Sequence, residues 1–190
     1  PYLTLFAFSN ENWLRSKDEV RSLMALFRTI IARDEIADLH EAGARIQFIG
    51  NRSNFSFLLQ TGMREIEKRT AKNTTITVTV ALDYGGKWDI AQAVTHYLQQ
   101  RSADANISIE QMSQELGSYL STSDLPDPDL CIRTAGERRL SNFLLWQMAY
   151  TELYFSDAYW PDFSTKDLEL ALENYAKRER KFGKTAVEAA

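Results

Sequence analysis

The sequence predicts an α/β fold, a mainly parallel central sheet flanked by helices in a single domain. Two observations predict the class, and a third bounds the size. Strand-like runs alternate with helical ones along the whole chain. No internal repeat, low-complexity stretch or Pro/Gly/Ser linker divides it. Its 190 residues, 44% apolar and 25% charged, suit one soluble globular unit with a sizeable core.

The elements follow in order. Residues 2–8 are rich in β-formers and predict the first strand. Val20, Leu23, Met24, Phe27, Ile30 and Ile31 keep helical spacing, in a helix expected to end near Gly43. Residues 45–49 predict the second strand. Residues 55–68 predict a helix with Phe55, Leu58, Leu59, Met63 and Ile66 on or near one side. Asn73 and Thr74 mark a turn before a Thr/Val strand at 76–82. Residues 89–100 and 109–119 read as helices. Pro126 and Pro128 break the chain before a strand at Leu130. A helix at 141–150, a short strand at 153–155 and a last helix at 166–182 complete the pattern. Crossovers between parallel strands are expected to be right-handed. The apolar faces of the 20–31 and 55–66 segments suit a plain core or the wall of an apolar tunnel, and periodicity does not separate the two.

Charge and composition exclude several classes. A net charge of −4 argues against non-specific nucleic-acid binding. One cysteine excludes an intrachain disulfide and points to a reducing compartment, with a cytoplasmic location expected. No apolar stretch is long enough to span a bilayer, and no signal peptide is visible. The chain opens on Pro1 and enters a strand at once, so further chain upstream is expected.

Three strand ends carry chemistry-bearing residues. The first delivers Ser9, Asn10, Glu11, Asn12 and Trp13, with Arg15 just beyond. The third delivers Asp83, Tyr84, Gly85, Gly86, Lys87 and Trp88. The Leu130 strand ends in Arg133, followed by Gly136, Glu137, Arg138 and Arg139, with Ser141 placed as the N-cap of the next helix. In parallel α/β sheets, ligand crevices lie outside the carboxyl ends of the strands. Arginine forks, a hydroxyl and a helix N-terminus gathered there suit a phosphate or diphosphate. The bland alternative is a solvated loop with weak surface ion pairs. The Ser9–Asn12 run equally suits a polar turn that caps a helix near Lys17, and Trp13 suits packing, the commoner case, or the wall of a pocket for an apolar ligand. Glu152 reads as a surface carboxylate, the commoner case, or as a ligand for Mg²⁺, which needs only one or two carboxylates. The Gly85-Gly86 run lacks P-loop spacing and no G-x-G-x-x-G occurs. His40 and His96 are isolated on helices, and Cys131 in its strand has no visible reason to be a nucleophile.

The segments TLFAFSNENWLRSKDEV, ALDYGGKWDI and LCIRTAGERRLSNFLLWQMAYTELYFSDAYWPDF resemble the characteristic blocks of the cis-prenyltransferases, most closely the bacterial undecaprenyl diphosphate synthase branch. The resemblance covers nearly the whole chain. It implies a homodimeric α/β enzyme that adds isopentenyl diphosphate units to farnesyl diphosphate with Mg²⁺, making the lipid carrier for cell-wall sugars. Carried over by motif, Asn12 would help take the proton from the isopentenyl unit. Ser9, Asn10, Glu11, Trp13 and Arg15 would line the substrate site, with Arg15 near the allylic diphosphate. Arg133, Arg139, Leu140 and Ser141 would hold isopentenyl diphosphate, and Glu152 would bind the metal. Glu19 matches an acidic position of the segment after the first loop. Ala7 would leave room beside the product tunnel. Membrane contact would be peripheral, for product release.

Two departures stand out. The family's first strand and its Asp-Gly-Asn-Gly-Arg-type phosphate loop have no counterpart among residues 1–190, which are otherwise read as one cis-prenyltransferase domain. Without that loop the chain as written is expected to be inactive. Ser16 stands where proline is usual after Arg15, a change expected to affect loop stiffness only. The leading expectation is a prenyl chain elongase. Its rival is a non-catalytic family member that binds a partner subunit or a polyprenyl lipid. A nucleotide-binding protein or phosphate-ester hydrolase is disfavoured by the missing motifs.

Overall fold

A computed structural model of the chain describes residues 1–31, 33–102 and 106–178. Two compact units emerge, residues 1–125 and the chain from Pro126 onward. The first unit holds strands β1 (Tyr2–Ser9), β2 (Ala44–Ile49) and β3 (Ile76–Tyr84), with helices α1 (Lys17–Ile31), α2 (Glu35–Glu41), α3 (Phe57–Thr70), α4 (Gly86–Gln99) and α5 (Ile109–Glu115). The second holds β4 (Leu130–Arg133), β5 (Glu152–Phe155) and α6 (Thr165–Ala176). Every ladder is parallel, as the alternation predicts. β3 lies between β1 and β2, and β4 pairs with β5.

β3 is buried almost continuously towards its carboxyl end, through Thr79 and the run from Ala81 to Tyr84. This is the pattern of a central parallel strand. Phe8, Ile46, Phe48 and Leu82 meet Phe27 of α1 and Leu59, Met63 and Ile66 of α3 in one core cluster. The expected face of α3 is therefore core, apart from Leu58, which is exposed. On α1 only Phe27 is buried, while Leu26 and Ile30 are exposed. A second cluster joins Ala93 and Tyr97 of α4 to Leu116 and Leu120.

The outer edge of β2 is closed by side chains. Ile46 N–H donates to Thr70 Oγ1 at 3.0 Å and Phe48 N–H to Glu67 Oε1 at 3.0 Å. The Phe48 carbonyl accepts from Arg52 Nη2 at 2.6 Å, and the Ala44 carbonyl from Asn73 Nδ2 at 2.8 Å. Backbone groups satisfied in this way cannot recruit another strand.

Several element boundaries differ from expectation. The helix expected to reach Gly43 is two helices: α1 ends at Ile31, and Arg33 N–H bonds to the Ile30 carbonyl before α2 begins. Adjacent β-branched Ile30 and Ile31 weaken the helix at that point. α3 starts behind Ser56, whose hydroxyl accepts from Leu59 N–H. α4 starts at Gly86, three residues before the expected Asp89. α5 stops at Glu115 and passes into a 3₁₀ turn. The last helix ends at Ala176, where Lys177 caps it, six residues before the expected end at Phe182, which itself lies outside the described residues.

The largest correction concerns residues 141–150, which form successive turns and no helix. Ser141, Asn142 and Leu144 have φ of 50°, 61° and 41°. Residues in the left-handed region cannot propagate a right-handed i→i−4 ladder. Among the described residues no helix is long and apolar enough to cross a membrane.

Candidate active site

In the first unit, Ser9 ends β1 opposite Tyr84 of β3, so the loops that follow these two strands leave the sheet side by side. The register shifts between Phe6 and Phe8 and again before Ser9, which leaves Ala7 without a register partner and exposed. Residues Asn10–Leu14 then form a 3₁₀ turn capped from both sides. Ser9 N–H donates to Asn12 Oδ1 at 2.9 Å, and Glu11 N–H donates to Ser9 Oγ at 3.2 Å. The Ser9 hydroxyl donates to the Glu11 carboxylate. The run is a polar turn, but it caps itself and not the helix that starts at Lys17, whose cap is Ser16. Asn12 Nδ2 makes no hydrogen bond to a described residue, which leaves its donor end available.

Trp13 packs on Phe8 and Phe55, at centroid distances of 5.1 and 5.9 Å. It is therefore core-anchored, yet its indole N–H is buried with no acceptor, and Asn10 Oδ1 is buried with no donor. Buried polar groups are normally satisfied, and exceptions mark function or an absent ligand. One turn thus presents an unused donor and an unused acceptor. Arg15 is exposed beyond it.

Ser16 does more than alter stiffness. Its hydroxyl donates to Glu19 Oε2 at 2.7 Å and its N–H to the same oxygen at 3.2 Å, forming the cap of α1. The Ser16 hydroxyl and N–H, with a smaller contribution from Arg15, hold the Glu19 carboxyl below its ordinary value. Proline has no N–H and no hydroxyl to offer there.

At the end of β3, Asp83 is 1% exposed, at a left-handed φ of 51°. Its carboxylate accepts from Asn54 Nδ2 at 2.8 Å, and its carbonyl from Asn51 N–H at 3.0 Å. Gly50, at φ 112°, crosses this point so closely that a Cβ would lie 2.0 Å from the Leu82 carbonyl oxygen. Asp89, on α4, is wholly buried. It accepts from Tyr84 Oη (2.8 Å), Gln92 Nε2 (3.0 Å) and both the N–H (2.9 Å) and hydroxyl (2.7 Å) of Ser121. The sequence pattern singled out neither carboxylate for this architecture. The one available signal was Asp83 directly behind an apolar strand.

In the second unit, Arg133 closes β4, and its Nε is buried without an acceptor. Ala135 and Gly136 turn the chain back at φ 65° and 66°, their N–H groups donating to the Ala158 and Ser156 carbonyls at 2.8 and 2.9 Å. Arg139 is exposed and paired with Glu137, and Arg138 is exposed. Leu140 and Ser141 are half-buried. Ser141 is not an N-cap, so no helix dipole acts on an anion here; hydroxyl and guanidinium groups remain. Cys131, within β4, has its thiol pushed up by burial, which Arg133 only partly opposes. This fits its reading as inert.

Glu152 is the first residue of β5, and its carboxylate is bound by Arg178, at 2.6 Å. At 30% exposure it is a partly buried surface carboxylate with a charge partner, and both readings of it stand. Among the described residues no three His, Cys, Asp or Glu side chains cluster to hold a metal. A lone hard carboxylate still suits an ion that completes its shell with water and phosphate oxygens. His40 is structural, its Nδ1 2.9 Å from Asn73 Nδ2.

Comparison with known proteins gives this architecture a family. The family model described as "Putative undecaprenyl diphosphate synthase" matches residues 1–183. The ditrans,polycis-undecaprenyl-diphosphate synthase ((2E,6E)-farnesyl-diphosphate specific) of Pseudomonas aeruginosa is 51% identical over 97% of this chain and 73% of its own. An isoprenyl transferase of Neisseria meningitidis serogroup A is 46% identical over 97% of this chain and 72% of its own. The crystal structure of lavandulyl diphosphate synthase from Lavandula x intermedia, in complex with dimethylallyl diphosphate, superposes with a TM-score of 0.86. It is 33% identical and covers 96% of this chain and 79% of its own. The chain belongs to the undecaprenyl diphosphate synthase family of prenyltransferases.

Proposed function

We propose that this protein elongates prenyl chains in cis, condensing isopentenyl diphosphate onto farnesyl diphosphate to give undecaprenyl diphosphate for cell-wall lipid carrier synthesis. The observation that carries the reading is Arg133: a guanidinium at the carboxyl end of a parallel strand with a buried N–H that no acceptor among the described residues satisfies. A diphosphate oxygen supplies what is missing. Arg139 and the Ser141 hydroxyl add donors on the same loop, with half-buried Leu140 between them in sequence. Family membership and the relatives' names support the substrate assignment.

In this reading the 9–13 turn binds the reacting ends. Asn12, fixed through Oδ1, directs its Nδ2 donor at the isopentenyl diphosphate and orients it for loss of a proton, which the departing allylic diphosphate accepts as the new C–C bond forms. Ser9, Asn10, Glu11 and Trp13 line the site, and Arg15 meets the allylic diphosphate. As the allylic C–O bond breaks, negative charge gathers on the leaving diphosphate, and guanidinium groups already in place stabilise it. Glu152 would hold Mg²⁺, which neutralises diphosphate charge when bound. The growing chain requires apolar surface, since each buried CH₂ contributes about 0.8 kcal/mol. The half-covered apolar side of α1 is the available wall.

The same reading makes residues 1–190 one cis-prenyltransferase domain, acting as a cytoplasmic homodimer. Peripheral membrane contact would serve product release; Leu14, Phe57 and Leu58, exposed beside the Trp13–Phe55 pair, support it. The test is incubation of the full-length protein with farnesyl diphosphate, labelled isopentenyl diphosphate and Mg²⁺. Labelled polyprenyl product is expected, and its absence would leave only the binding-protein reading. Arg139→Ala should raise the KM for isopentenyl diphosphate by roughly 10- to 100-fold, the loss of one charged hydrogen bond.

A further inference from the structure

The side chain that holds Glu152 belongs to none of the motifs. Arg178 follows the last turn of α6. It donates through Nη1 to Glu152 Oε2 at 2.6 Å and through Nη2 to the Leu153 carbonyl at 3.0 Å. Its Nε and Nη2 also donate to Asn174 Oδ1, at 3.0 and 2.7 Å. Asn174, one turn earlier on α6, thus aims the guanidinium at the carboxylate. Both charged side chains are about one-third exposed, 29% and 30%. A pair so placed is shielded from solvent, yet can open without unfolding.

We propose that Arg178 is a positioning residue that occupies the Glu152 carboxylate until a divalent cation takes it, so that metal entry and Arg178 release are one exchange. The proposal rests on the reading of Glu152 as metal ligand. Two observations support it. The only charge partner that the described residues give Glu152 is this guanidinium, so the carboxylate is neutralised without metal. A guanidinium and a divalent ion on one carboxylate also repel each other, so the second to arrive weakens the first. The three hydrogen bonds to Asn174 and the Leu153 carbonyl pre-set the guanidinium, so returning it to Glu152 after metal loss needs little ordering.

The test reads Mn²⁺ affinity, with Mn²⁺ as an oxygen-preferring probe, from the loss of its free EPR signal on titration with the full-length protein. Arg178→Gln should tighten binding roughly three- to fivefold, the effect of removing a partly exposed ion pair. Asn174→Ala, which changes no charge, should act in the same direction to a smaller extent. Both gains should vanish when Glu152→Gln is added. Unchanged or weaker binding by R178Q, while E152Q alone still weakens Mn²⁺ binding, overturns the exchange and leaves the ligand assignment standing. A gain that survives in R178Q/E152Q reports net charge only and also overturns it. If E152Q weakens binding in neither background, the ligand assignment fails and the exchange with it.

Discussion

Asp89 shows what a single residue does for the first unit. Its carboxylate ties the end of β3, through Tyr84, to α4 and to the Ser121 segment that follows the 3₁₀ turn. Truncation to alanine would remove the acceptor shared by Tyr84 Oη, Gln92 Nε2 and both donors of Ser121. A buried donor left unsatisfied costs about 1–3 kcal/mol. Asp89→Ala should therefore lower unfolding free energy by about 3 kcal/mol in urea titrations; a loss under about 1 kcal/mol would show that water replaces the lost acceptor. The sequence displayed Asp89 only as the start of a helix. Its partner Ser121 is 32 positions away, and a hydrophobic pattern carries no trace of a polar contact at that range. Arg133 was legible for the opposite reason. Three apolar strand residues leading directly into an arginine form a local signal, and only the missing acceptor required coordinates.

Elements were legible where periodicity alone decides them, and less so at their ends. The β1, β2 and β3 runs and the buried side of α3 follow from alternation and spacing. Residues 141–150 defeat that logic, because Leu144 and Met148 keep helical spacing and are both buried while the backbone turns. No glycine occupies 141, 142 or 144, and Asn142, of a type that tolerates the left-handed region, is the one local hint of a positive φ. Helix caps behave similarly: Ser16 looked like a minor departure and is the N-terminal clamp of α1. Its bonds hold the Glu19 carboxyl low, so this contribution to α1 is present above the ordinary carboxyl range. It is lost as pH falls through the lowered value. Asp167 at the start of α6 is held low by Ser164 in the same way, and the same sign applies. Ser16→Pro should return the Glu19 titration toward the ordinary value and speed amide exchange in the first turn of α1, both read by NMR. An unmoved Glu19 titration would mean that Arg15 alone sets it.

The whole molecule is acidic, with a net charge of −4, yet the diphosphate reading asks it to capture a polyanion. The two effects act at different ranges. At about 0.1 M salt the Debye length is about 10 Å, so the net charge is largely screened before a ligand arrives. At contact, a guanidinium and a phosphate oxygen about 4 Å apart attract by about 1 kcal/mol in bulk water and by about 4 kcal/mol near a protein surface. Contact therefore wins, provided that Arg133 and Arg139 face the ligand and Arg139 leaves Glu137 for it. The sign of the salt effect follows. Added salt screens local attraction more than a repulsion already screened, so affinity should fall. Calorimetric titration of the full-length protein with inorganic pyrophosphate should show Kd rising by roughly tenfold between 0.1 and 1 M NaCl. A Kd that stays level or falls would place the repulsive net charge in control and remove both arginines from the diphosphate site.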